Sequence, residues 1–211
     1  MVYLMGTEPF YDNVEDPEDY IEEVCHDLYE VWKEALGTSH MPSFAVSHGY
    51  IPEEELSRQS LYARMADASE WHWWHRTNQD FVGSLQVLDW VDDRREWPYG
   101  EAYTGNAMTK SPYQAGITNF YPFLDGAVGY FFREMGVFGI LFHELLHTYD
   151  AEHWHGATST DDRTTVMLPE ERGAEDKSCL FFGENYIRHP FVSPCTLSTV
   201  HSHIREHMSE V

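Results

Sequence analysis

The sequence is short of basic residues. It carries 13 Lys and Arg against 36 Asp and Glu, a formal charge of −23 over 211 residues. A surface this acidic repels phosphate backbones and anionic lipid head groups, which argues against nucleic acid as a partner and favours cations or basic peptides. Long apolar runs are missing too. Nowhere do about 18 apolar residues follow one another, so no segment reads as a membrane span. The N-terminus, MVYLMGTEPFYDNVEDPEDY, has neither a basic lead nor an apolar stretch of signal-peptide length. Cysteine is scarce: Cys25, Cys179 and Cys195 are an odd number, so at most one internal disulfide forms, and no C-x-x-C pair offers a thiolate metal site. Repeats and low-complexity segments are absent as well.

Aromatic and aliphatic residues are plentiful: 42% of the chain is hydrophobic and 15% aromatic. That is material for a packed core, which excludes a disordered acidic tail, and the length suits one compact domain. Between Asp19 and Leu36, the residues Ile21, Val24, Leu28, Val31, Trp32 and Ala35 recur at three- and four-residue steps, which predicts an amphipathic helix. Turns with one short strand around Phe44 to Val46 follow. Pro52 and the acids Glu53, Glu54 and Glu55 read as the first turn of a second helix continuing through Leu56, Leu61 and Met65. From Ala68 to Trp90 the spacing of Trp71, Trp74, Phe81, Leu85 and Leu88 also reads as helical. His72 and His75, in WHWWH, are read as packing residues and not as metal ligands. Strands and turns are expected between about 97 and 120.

The chemistry concentrates in GVFGILFHELLHTYDAEHWHG, residues 136–156. Val137 to Leu146 is apolar nearly all round, yet His143, Glu144 and His147 interrupt it, and buried helices seldom carry such groups without partners. His143 and His147 lie one turn apart on one face, so both imidazoles reach one cation. This is the H-E-x-x-H zinc arrangement, in which Glu144 stands beside the first ligand as the base for a water acidified by Zn²⁺. The bland alternative is a pair of satisfied core histidines. A catalytic zinc takes three protein ligands and leaves one position open. His153 is the nearest third donor if the chain turns sharply at Asp150, a residue that tolerates left-handed angles, with Met167 in TVMLP then forming the floor beneath the metal. The competing third donor is a later glutamate, with Asp150 holding a ligand histidine from behind.

The run of motifs VDDRREW (91–97), GNAM (105–108), AGI (115–117), PF (122–123), Gly136 and HELLHTYD (143–150) resembles the neprilysin-type zinc metallopeptidases, family M13. The likeness covers roughly residues 20 to 150. It implies zinc on His143 and His147, Glu144 as the catalytic base, Asp150 orienting a histidine, and Asn106 with Ala107 on an edge strand binding the peptide backbone. It also implies an extracellular setting and peptide substrates. Departures lie downstream: the third-ligand motif survives only as Gly183, Glu184 and Asn185, without the aspartate, and no D-x-H follows. His201, His203 and His207, near the C-terminus, are expected to face solvent.

The fold so implied is α+β and mainly helical: a zincin-like catalytic module with a small mixed sheet beside the H-E-x-x-H helix, apparently truncated. It divides into a mainly helical lead (1–90), an edge strand and zinc helix (91–156) and a divergent tail (157–211). Three functions follow: a zinc endopeptidase of small peptides, a truncated relative that binds zinc or peptide with little turnover, and a metzincin-like protease that uses His153.

Overall fold

A computed structural model of the chain describes residues 1–39, 41–76, 83–91, 100–103, 114–120, 130–156, 165–167, 179 and 192–208. The architecture is α+β, built on a mixed five-stranded sheet. Strand β1 (Val2–Thr7) pairs in parallel with β2 (Phe44–Ile51) on one side and β3 (Ser84–Asp89) on the other. Strand β5 (Gln114–Asn119) continues in parallel from β3, and β4 (Gly100–Tyr103) closes the far edge as the one antiparallel strand. The spatial order is thus β2-β1-β3-β5-β4.

Three of these strands precede residue 90, where the sequence predicted helices and one short strand. The correction is sharpest at Ser84–Asp89: its six residues are all buried in a central strand, not on a helix face. A parallel strand covered on both faces shows no alternation of polar and apolar residues, so its apolar positions also fit a helical count.

Helix α1 (Glu8–Asn13) is capped by Thr7, whose hydroxyl accepts from the Phe10 N–H at 3.3 Å. Helix α2 (Pro17–Leu36) forms where the periodicity predicts one, with Pro17, Glu18 and Asp19 opening it. It stops at Gly37, which takes a left-handed φ of 82° and donates to the Lys33 carbonyl. Ile21, Leu28 and Trp32 of α2 pack on one face of the sheet with Val2, Leu4, Ile140, Leu141, Phe142, Leu145 and Leu146. The opposite face carries α3 (Leu61–Arg76), whose Leu61, Met65 and Ala68 meet Met5, Leu85, Val87 and Ile117. The acids Glu53–Glu55 make only a single 3-10 turn, so the predicted second helix begins later than its first-turn signals suggest.

A buried charge network ties α3 to the carboxyl ends of the central strands. Arg64 donates from Nε to Asp89 Oδ2 at 2.7 Å and from Nη2 to Glu53 Oε2 at 2.6 Å. Thr7 Oγ1 donates to the other Asp89 oxygen at 2.6 Å.

Helix α4 (Tyr130–His147) breaks at Gly136, where φ is 57°, so the helical run that carries His143 and His147 starts after that glycine. Helix α5 (Pro194–Met208) lies in the segment read as a divergent tail. Cys179 and Cys195 form a disulfide, and Cys25 is free and buried. Among the described residues, no helix is long and apolar enough to cross a membrane.

Candidate metal centre

Ile140, Leu141, Phe142, Leu145 and Leu146 bury three sides of α4 in the core, and the remaining side presents His143, Glu144 and His147. Thr148 locks the end of the helix: its hydroxyl donates to the Leu145 carbonyl at 2.6 Å and lies 2.9 Å from Ser84 Oγ on β3. The donor side therefore sits on a rigid element.

Both helix histidines have their ring orientation fixed from behind. His143 Nδ1 donates to the Val166 carbonyl at 2.6 Å, and His147 Nδ1 donates to the Ala151 carbonyl at 2.6 Å. Carbonyls only accept, so each Nδ1 carries the proton and each Nε2 is a bare lone pair. Those two Nε2 atoms stand 2.9 Å apart, and His153 Nε2 joins them at 3.1 Å from His143 and 3.2 Å from His147. Two lone pairs cannot hydrogen-bond each other. An electrophile between them resolves the conflict, and the three nitrogens lie close enough to hold one metal ion. Tetrahedral bonds of about 2.0–2.1 Å would set such donors about 3.3 Å apart, close to the observed triangle. The residues present thus fit a metal.

His153 arrives by a turn that the sequence flagged at Asp150. The Ala151 N–H bonds the Leu146 carbonyl at 3.2 Å and the Asp150 N–H bonds the His147 carbonyl at 3.0 Å, the pair of reverse bonds that ends a helix on a left-handed residue. Asp150 occupies that position with φ 62°. Glycine is the usual occupant, and a residue with a side chain costs about 1–2 kcal/mol there. The Asp150 side chain does not orient a metal ligand, as the sequence reading had it; its Oδ2 accepts from His203 Nδ1 at 2.6 Å. Backbone carbonyls perform the orienting role instead. His203 is likewise not solvent-facing: it is buried, and its neighbour His201 places Nε2 2.9 Å from the Leu36 carbonyl.

A cavity of about 290 Å³ opens on the three imidazoles, lined also by Glu144, Glu152 and the β4 residues Gly100, Glu101 and Ala102. Glu144 is nearly fully buried. Burial first, and then the Glu101 carboxylate, push its carboxyl well above the ordinary glutamate range. Burial raises Glu101 as well. The imidazoles move the other way: burial, then the neighbouring His147, hold His143 well below its usual value, and burial with His153 lowers His147 to about 4. Ligation needs neutral imidazole, and these shifts supply it at neutral pH.

Met167, expected beneath the metal, is fully buried in the core beside Val166, the residue that orients His143. Asn106, Ala107 and Glu184 lie outside the described residues, and the edge strand beside the cavity is Gly100–Tyr103. His72 is buried on the inner face of α3 and is not part of the imidazole cluster. Sequence reasoning missed Glu101 and Gly100, for which no local signal exists. The chain matches no protein-family model, and no curated protein matches it either.

Proposed function

We propose that this chain is a zinc-dependent peptidase in which His143, His147 and His153 hold the ion and Glu144 is the base. The observation that carries this reading is the convergence of three Nε2 atoms within 3.2 Å of one another, beside a buried carboxylate in the same cavity. Three imidazoles with no thiolate suit zinc among the common dications. When bound, zinc would polarise the scissile carbonyl and acidify water. Glu144 takes the proton of the attacking water and passes it to the leaving amine. A dication held by the three imidazoles would oppose the upward push on its carboxyl and so favour the ionised form a base needs.

Substrate binding falls to β4. It ends the sheet, and its outer edge has no strand on it among the described residues, so an extended peptide can add there. Glu101 and Glu152 border the same space, and with a chain charge of −23 they favour basic peptides. The Cys179–Cys195 disulfide supports an oxidising, extracellular setting. The neprilysin-type likeness shares His143, Glu144 and His147 with this reading and parts from it at the third ligand, for which this reading takes His153.

Metal analysis is expected to find about one zinc per chain, lost in His143→Ala and sharply reduced in His153→Ala. A quenched basic peptide should be cut in a chelator-sensitive reaction that Glu144→Gln abolishes while zinc stays bound. Zinc without cleavage would reduce the protein to a metal binder. Absence of zinc binding would sink the reading altogether.

A further inference from the structure

The geometry points to His203, on α5, as a positioning residue for the metal centre: it grips the Asp150 carboxylate and so fixes the left-handed turn that delivers His153. This rests on the metallopeptidase reading of the site. Asp150 is the pivot for two of the three imidazoles. His153 lies just beyond it along the chain, and His147 takes its ring orientation from the Ala151 carbonyl, 2.6 Å from His147 Nδ1. A change of backbone angle at Asp150 would swing both. Glycine would adopt φ 62° without help, whereas aspartate prefers other regions and is held here by its side chain.

The grip is itself well anchored. His203 is 7% exposed, and the Tyr149 ring meets it edge-on at 5.6 Å. With Nδ1 donating to Asp150 at 2.6 Å, Nε2 is left to accept from Gln114 Nε2 at 3.3 Å, at the start of β5. Helix α5 also holds the far end of the same loop, since the Ser193 and Thr196 hydroxyls both donate to the His155 carbonyl. The third ligand is thus braced by a helix some fifty residues later in the chain.

The test measures zinc affinity by competition with a chromophoric chelator. His203→Ala is expected to weaken zinc binding about 10- to 100-fold, the range typical of partners that orient ligands. His203→Asn keeps a donor and should bind nearly as tightly as the parent. Adding Asp150→Gly to His203→Ala should bring affinity back to within about threefold of the parent, because glycine needs no grip to hold the turn. A merely structural loss would not be rescued this way. Parent-like affinity in His203→Ala, or a double variant as weak as the single, overturns the proposal. Amide exchange of the metal-free protein over 148–156 reads the grip separately: it should quicken in His203→Ala. Should the parent bind no zinc, the peptidase reading fails, and unchanged exchange then overturns the grip on its own.

Discussion

A Cβ added to Gly100 would lie 2.6 Å from Glu144 Oε1 and 2.8 Å from Ile140 Cγ2. The edge strand therefore rests directly on the Glu144 carboxylate, and only a residue without a side chain lets it do so. Gly100→Ala must either lift β4 away from α4 or turn the Glu144 carboxylate out of line. A displacement of about 1 Å at a reacting group can cost about a hundredfold in rate. We expect kcat/KM for a basic peptide to fall by about that factor while zinc content and the thermal midpoint stay near the parent's. Parent-like kcat/KM would mean that Glu144 is not the base.

The clustering of His143, Glu144 and His147 was legible because it is local: their spacing on one helix fixes their relative positions whatever the rest of the chain does. His153 was legible only as a spacing, since its arrival depends on the backbone angle adopted by Asp150. The partner of Asp150 was not legible at all. His203 lies 53 residues away, and nothing in HSHIREH distinguishes it from a solvent-facing histidine. The fold divides in the same manner. Helix α2 has one buried and one wet face and shows its period, while β1 and β3 are covered on both sides and show none.

Metal removal follows from the bare lone pairs. Without a cation, the Nε2 lone pairs of His143 and His147 face each other at 2.9 Å. Free zinc at a thousandfold excess over its Kd stabilises the folded chain by about 4 kcal/mol. For a domain of this size that is a shift of about 10 °C in the thermal midpoint. Calorimetry with and without chelator should record this difference, and His153→Ala should erase most of it. A midpoint indifferent to chelator would leave no room for a structural contribution from the ion.

Arg64 answers two carboxylates in the interior, and Asp89 is fully buried. Arg64→Leu leaves the Asp89 carboxylate desolvated with, among the described residues, the Thr7 hydroxyl to hold it, at a cost of about 3–5 kcal/mol. Removing the acid as well, in Arg64→Leu with Asp89→Leu, should recover a large part of that loss, because the penalty belongs to the orphaned charge. Urea denaturation of the parent, the two single variants and the double completes the cycle. Simple additivity would mean that the pair is not coupled.

His72 gives the fold an acid-sensitive point outside the metal centre. It is 1% exposed on the buried face of α3, with its ring 5.4 Å from that of Tyr3. Burial, and then the Arg76 guanidinium, lower its pKa from 6.5 to about 4. Below pH 6.5 the unfolded chain takes up a proton that the folded chain refuses until about pH 4, so stability falls across that window as the medium is acidified. The full shift corresponds to about 3 kcal/mol, complete only below the lower value. His72→Phe keeps a ring against Tyr3 and removes the proton site. In metal-free protein, the difference in unfolding free energy between parent and variant should therefore drift by about that amount in favour of the variant between pH 7 and pH 4. Parallel curves across the window would mean that His72 takes up its proton equally in the folded and unfolded chain.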